Sequence, residues 1–164
     1  MDTKLEIKAG DGLREKGLRL AVAESCTGGL IGHRITNIPG SSTYYMGSIT
    51  AYAYEAKVRL LDVKWDTLEK HGAVSDETVA EMALGVRRAM AADVGLSVSG
   101  IAGPGGGTPE KPVGLVCFGV SSAKGSWTIQ QHFKGDRISI KEQAADFAIQ
   151  YLLDYMEEKL DGSD

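Results

Sequence analysis

Two cysteines, Cys26 and Cys117, are too few for a disulfide framework, and free thiols in a cytosolic protein are the simpler reading. No stretch approaches the ~20 consecutive apolar residues of a membrane span. The N-terminus, Met1-Asp2-Thr3-Lys4-Leu5-Glu6, lacks the apolar core of a secretory signal, so the expected location is the cytoplasm. Positive charge is not in excess. A net charge of −4 gives no general attraction to nucleic acid or to an anionic membrane. His33, His71 and His132 are scattered, without the spacing of a motif such as His-Glu-x-x-His, so no metal is expected. The glycine-rich segment has no Gly-Lys-Ser/Thr of a Walker loop and no dinucleotide fingerprint, so no cofactor is implied either.

What is present suits one domain over residues 1–164. A chain of this length buries roughly 70% of its unfolded surface, enough for a core without staples. The 21 glycines concentrate in loops. Residues 4–16 form a weak amphipathic helix with Leu5, Ala9 and Leu13 on one face. Leu18 to Ala23 is a short apolar run that suits a buried strand, ended abruptly by Glu24-Ser25-Cys26-Thr27-Gly28-Gly29. A helix follows Gly29 and stops before Pro39-Gly40. Tyr44 to Tyr52 reads as a strand, Glu55 to Leu61 as a helix presenting Lys57, and Trp65 to Lys70 as a short helix ended by Gly72. Ser75 caps a long helix with Val79, Met82, Ala83, Val86 and Met90 as its buried stripe. Leu96 to Ser99 is a strand, Gly100 to Pro112 a glycine loop, and Val113 to Val120 a central strand, apolar on both faces. Ala123 to Ser126 turns the chain into the alternating strand from Trp127 to Phe133. Gly135-Asp136-Arg137 is a turn before a last helix that reaches about Leu160, with Ile140, Ala144, Phe147, Tyr151, Leu152 and Tyr155 inward. Strands alternating with helices imply a three-layer α/β/α sandwich. The close spacing of the last two strands makes the sheet mixed, although mostly parallel.

Ser25, Cys26 and Thr27 lie where a strand meets a helix. That place exposes side chains at a sheet edge and aims backbone N–H groups at one point. A hydroxyl there is either a nucleophile with amides holding an oxyanion, or a cap for the following helix. Cys26 at a helix N-terminus is a rival nucleophile, and a Ser-His-Asp triad through Ser25 is not excluded by chain order. Lys57 is the candidate base. At an ordinary pKa near 10.4, about one lysine in 2,500 is neutral at pH 7, so burial or a nearby cation must lower it. On its own it also reads as a solvated helix lysine, with Tyr52 a sheet aromatic. The Gly100–Gly107 loop follows a strand, where open α/β sheets bind ligands, and its glycines let N–H groups approach an anion; a plain surface loop is the bland alternative. Arg137 either holds a phosphate in its planar fork or pairs with Asp136 or Glu142.

Ala23-Glu24-Ser25-Cys26-Thr27-Gly28-Gly29 closely resembles the signature of the nicotinamide-nucleotide amidase family, the CinA C-terminal domain in its stand-alone form. The resemblance continues through Gly47-Ser48-Ile49-Thr50-Ala51-Tyr52 and Lys57, Gly72-Ala73-Val74-Ser75, Gly100 to Gly114, and Phe133-Lys134-Gly135-Asp136-Arg137. It implies a three-layer α/β/α fold with a mixed sheet and hydrolysis of the carboxamide of nicotinamide mononucleotide to nicotinate mononucleotide and ammonia, within pyridine nucleotide salvage. It places the nucleophile on Ser25, the base on Lys57 and an assisting hydroxyl on Tyr52. It implies substrate contacts from Cys26, Thr27 and Gly28, from Gly103, Gly105, Gly106 and Thr108 of the glycine loop, and from Arg137. The partner is then a small-molecule pyridine nucleotide, with no nucleic acid, no membrane and no cofactor; a homo-oligomer is left open. Two departures stand out: Tyr54 replaces a common Asn, and Lys141 a frequent Arg. A nucleotide-binding regulatory module without amidase activity is the alternative from another class. An amidase for another pyridine nucleotide or carboxamide is a third.

Overall fold

The computed structural model describes residues 3–160. Its elements are α1 (Lys4–Lys16), β1 (Leu20–Glu24), α2 (Leu30–Thr36), a 3-10 turn (Ser41–Thr43), β2 (Tyr45–Thr50), α3 (Tyr54–Leu61), α4 (Trp65–His71), α5 (Asp76–Ala89), β3 (Val94–Gly100), β4 (Leu115–Ser122), β5 (Gly125–His132) and α6 (Arg137–Met156). The sheet order is β2-β1-β3-β4-β5. β1 pairs parallel with β2 and β3, β3 antiparallel with β4, and β4 antiparallel with β5. The expected mixed sheet is therefore present, and among the described strands only β4 runs against the rest.

Helices cover both faces. Leu20, Val22, Leu96, Val98, Phe118 and Val120 pack with residues of α1, α2 and α6. Ala21, Ala23 and Cys117 point the other way, to Leu61, Leu68, Val79, Met82 and Val86 of α3 to α5. This is the alternation expected of strands covered on both sides. Phe118, Phe133, Phe147 and Tyr151 form a run of ring contacts between sheet and α6. The three helices of the first layer are tied together by an ion network centred on the buried Arg34. Arg34 of α2 meets Glu6 of α1 at 2.5 Å and Asp146 of α6 at 2.6 Å. No helix among the described residues is long and apolar enough to cross a membrane.

Several boundaries differ from expectation, each for a local reason. β1 starts at Leu20 because the Leu18 and Arg19 amides donate to Leu13 and Asp93 in the entry loop. β4 starts at Leu115, not Val113: the Leu115 amide donates back to the Pro112 carbonyl, and Gly114 takes φ +96°, a turn conformation. The β4–β5 turn is tighter than expected, and β5 already begins at Gly125. Arg137 is not in a turn. The Asp136 carboxylate accepts the Ser139 amide at 2.9 Å, which makes Asp136 the N-cap and Arg137 the first residue of α6. At its other end α6 stops at Met156 rather than Leu160, where Glu158 turns to φ +59°. Phe147, Tyr155 and Met90, expected inside, are only partly buried against the core.

Candidate active site

β1 is the strand at which the chain changes direction across the sheet. Its successor β2 lies on one side and β3 on the other. Open α/β sheets form a crevice outside the carboxyl end of such a strand. Glu24 ends β1, so Ser25 to Gly29 occupy that crevice. The turn is tight: Gly28 and Gly29 both take left-handed backbone, φ +62° and +105°, which side chains resist. The Ser25 amide donates to the Val98 carbonyl at 3.1 Å, and the Gly28 amide to the Ser25 carbonyl at 3.1 Å. Among the described residues, the amides of Cys26 and Thr27 donate to no other residue.

Ser25 does not cap α2. The sequence-adjacent Glu24 does so instead, with a side chain wholly out of solvent. Its carboxylate accepts the amides of Gly29, Ile31 and Gly32 at 3.2, 3.0 and 3.0 Å and the Thr27 hydroxyl at 2.5 Å. The Ser25 Oγ is left to Lys57, whose Nζ lies 2.9 Å away. Nζ also donates to the carbonyls of Ala51 and Tyr52, each at 2.9 Å. Lys57 is only 1% exposed. Burial pulls its ammonium down from 10.5 to about 8. In the neutral amine the two carbonyls hold both N–H bonds, and the lone pair faces the serine hydroxyl.

The rival nucleophile fares worse. Cys26 is 6% exposed, and burial pushes its thiol up to about 12, so it stays protonated and weakly nucleophilic near neutral pH. No histidine hydrogen-bonds Ser25 among the described residues; His71 instead lies 3.6 Å from Glu77. Among the described residues no three His, Cys, Asp or Glu side chains cluster as a metal site.

The remaining residues form a second group beside the first. Arg137 Nη1 donates to the Gly103 carbonyl at 2.6 Å and Nη2 to the Tyr52 hydroxyl at 3.1 Å. It pairs with neither Asp136 nor Glu142. Tyr52 thus touches Lys57 through its carbonyl and Arg137 through its phenol, while its side chain is largely exposed. Gly105 and Gly106 are exposed in the loop, and Thr108 closes a small turn with Lys111 at the loop's far end. The Thr27 side chain belongs to the scaffold through Glu24. Lys141, one turn beyond Arg137, lies over the Ser25 turn: a Cβ on Gly28 would sit 3.7 Å from its Nζ. Sequence reasoning assigned no role to Glu24 or to the Ala51 carbonyl. The signal for Glu24 was there, an acid closing an apolar strand just before a helix start.

Comparison with known proteins gives the family. The CinA C-terminal domain model matches residues 2–156. The nicotinamide-nucleotide amidohydrolase PncC of Enterobacter agglomerans is 50% identical over 151 residues, covering 92% of this chain and 92% of that protein. A CinA-like protein of Desulfotalea psychrophila is 48% identical over 155 residues, 94% of this chain but 37% of that protein. Relatives from Halothermothrix orenii and Moorella thermoacetica are longer too, and the chain spans 38% and 36% of their lengths. The crystal structure of a CinA superfamily protein from Klebsiella pneumoniae superposes with a TM-score of 0.92 at 32% identity, over 96% of this chain and 99% of that one. This chain belongs to the CinA C-terminal domain family.

Proposed function

We propose that the chain is a single amidohydrolase domain that converts nicotinamide mononucleotide and water to nicotinate mononucleotide and ammonia, a step of pyridine nucleotide salvage in the cytoplasm. The observation that carries the reading is the buried Lys57 Nζ, 2.9 Å from the Ser25 hydroxyl and held there by two carbonyls. The 50% identical PncC protein supports the substrate class.

An amide is a poor electrophile and ammonia a poor leaving group, so the site must supply both a nucleophile and charge stabilisation. The pyridinium ring already withdraws electrons from the carboxamide. Ser25 Oγ attacks the carboxamide carbon while its proton passes to neutral Lys57. The oxyanion accepts from the free amides of Cys26 and Thr27. The ammonium of Lys57 then returns the proton to the departing nitrogen as the C–N bond breaks. Water, deprotonated by the same amine, hydrolyses the acyl-serine ester and restores Ser25. The Tyr52 hydroxyl is engaged with Arg137, so in this reading Lys57 carries both proton transfers and Tyr52 orients it through its carbonyl. Arg137 keeps N–H groups beyond its two bonds, and with Lys141 one turn on it forms the cationic side that takes the 5′-phosphate. The glycine loop, pinned at Gly103, lines the nucleotide.

A regulatory binding module has no need of a buried lysine aligned on a serine. The test is ammonia release from nicotinamide mononucleotide by the purified protein and by Ser25→Ala. Release by the first and not the second supports the reading. Binding of the nucleotide with no ammonia from either supports the regulatory module.

A further inference from the structure

We infer that Glu24 is a positioning residue for the nucleophile: its buried carboxylate takes over the capping of α2 and thereby leaves the Ser25 hydroxyl to Lys57. The inference rests on the Ser25–Lys57 reading above and adds a residue that touches neither substrate nor the reacting atoms.

A strand-to-helix turn leaves helix amides without partners, and a nearby Ser or Thr hydroxyl is the usual acceptor. Here the residue at the N-cap position is Gly29, which has no side chain to offer. Ser25 and Thr27 are the hydroxyls at hand. Were either to turn its oxygen toward α2, the pairing of Ser25 with Lys57 or the turn itself would change. Glu24 removes the demand. Oε1 accepts Gly29, Ile31 and the Thr27 hydroxyl, and Oε2 accepts Gly32. All four partners are donors, and a carboxylate, which accepts at both oxygens, satisfies them together. A buried carboxylate without such partners would be strongly destabilising, which makes this set of contacts mutually dependent.

The backbone of the same residue reaches the other half of the pair. The Glu24 carbonyl accepts the Ala51 amide at 2.9 Å, and the Ala51 carbonyl accepts Lys57 Nζ. Glu24 is also registered against Thr50 of β2 and Val98 of β3. One residue therefore fixes the turn that carries the serine and the peptide that aims the lysine. The arrangement needs the carboxylate as an acceptor, not as a proton carrier, because its four partners leave it no route to Ser25 Oγ.

Glu24→Gln presents one acceptor oxygen and an NH2 group to four donors, so at least one helix amide or the Thr27 hydroxyl faces another donor. The turn must shift, and a misplacement of order 1 Å at a reacting atom costs about 100-fold in rate. The experiment compares wild type, Glu24→Gln, Thr27→Val and Thr27→Ser, each normalised to folded protein by circular dichroism. The readouts are kcat and KM for nicotinamide mononucleotide, the pH profile of kcat/KM, and the rate at which a small fluorophosphonate labels Ser25, followed by mass spectrometry. Glu24→Gln should lose about 100-fold in kcat and in labelling, with KM unchanged and the pH limb kept. Thr27→Val should lose less, and Thr27→Ser, which keeps the hydroxyl donor, should recover most of that loss. If Glu24→Gln does not fold, the Thr27 pair decides. Wild-type labelling and kcat in Glu24→Gln, or equal behaviour of Thr27→Val and Thr27→Ser, overturns the inference. Loss of the pH limb in Glu24→Gln also overturns it, since Glu24 would then carry the proton itself. If wild type labels at Ser25 and Glu24→Gln does not, but no ammonia is released, the positioning role stands and the substrate assignment fails. If wild type neither labels nor hydrolyses, the Ser25–Lys57 reading fails and this inference falls with it.

Discussion

The pH dependence of the chemical step follows from where Lys57 sits. Its side chain is sealed at the end of β1, and burial lowers its pKa from 10.5 to about 8. If the neutral amine is the base, kcat/KM follows the neutral fraction. That fraction is about 1% at pH 6, about 10% at pH 7 and about half at pH 8 for a group with this pKa. kcat/KM should therefore rise about tenfold per pH unit up to pH 7 and about 50-fold in all between pH 6 and 8, then gain less than about twofold more by pH 9. An ordinary lysine would keep climbing tenfold per unit through pH 9. The assay is ammonia release at nucleotide concentrations well below KM, in buffers of matched ionic strength, with folding checked at each pH. The substrate phosphate also titrates near pH 6, so the same profile should be run with nicotinamide riboside, which lacks it. A profile flat between pH 6 and 8 with both substrates would refute the neutral-lysine base. A limb that persists unchanged in Lys57→Ala would refute it equally.

Further outcomes test the rest of the site and the fold. Lys57→Arg should be nearly as damaging as Lys57→Ala, because guanidinium does not deprotonate near neutral pH, and Ser25→Ala/Lys57→Ala should cost little more than either single change; additive losses in kcat would show that the two do not act as a unit. Arg137→Ala should raise KM for the mononucleotide more than it lowers kcat and leave nicotinamide riboside almost unaffected, and equal losses on both substrates would reject the phosphate role. Lys57 also shapes stability. Its folded pKa lies below the unfolded value, so between about pH 8 and 10.5 the unfolded chain binds more protons, and its contribution to stability rises with pH across that window by up to about 3 kcal/mol. Urea unfolding at pH 7.5 and 10 should show the rise in wild type and not in Lys57→Met. Arg34→Ala strands the buried Glu6 carboxylate and should cost about 3–5 kcal/mol by urea unfolding; a loss under about 1 kcal/mol would mean that Glu6 finds water instead.

What the sequence made legible was whatever local pattern decides. The apolar run before Ser25 announced a buried strand, Ser75 with Asp76 and Glu77 announced α5, and Gly72 announced the end of α4. Positions whose role depends on a distant partner were not readable. Lys57 sits in Tyr54–Leu61, a segment with Glu55 and Arg59 beside it, which reads as a solvated helix face. Its burial comes from the packing of that helix on α5 and from the reach of Nζ to Ser25 and the Ala51 and Tyr52 carbonyls. Arg137 looked like a turn residue because Gly135 precedes it, yet the Asp136 side chain caps α6 and moves the helix start forward. The order of the strands, and with it the crevice at β1, depends on long-range pairing that no local period encodes. The family resemblance supplied Tyr52 as an assisting hydroxyl beside the base Lys57, and the structure divides Tyr52 between two partners: carbonyl to Lys57, phenol to Arg137.

The internal carboxylate also constrains where an anionic ligand can be held. A glycine-rich turn leading into a helix is a common phosphate site because free amides and the helix dipole both favour negative charge. In this fold the amides of Gly29, Ile31 and Gly32 are already taken by Glu24, which supplies that negative charge from within. A phosphate brought to the same place would meet a carboxylate and no free helix amide. The amides still free, Cys26 and Thr27, lie beside the serine and suit an oxyanion one atom from Oγ rather than a phosphate several bonds away. In the proposed reaction cationic side chains must then do for the phosphate what the helix terminus does elsewhere; Lys141 lies over this turn, and Arg137, bonded to Gly103 and Tyr52, precedes it by one turn on the same side of α6. The geometry thus separates the two negative charges of the proposed reaction, the transient oxyanion on the β1 turn and the permanent phosphate on α6, and lets each be stabilised without competing for the same donors.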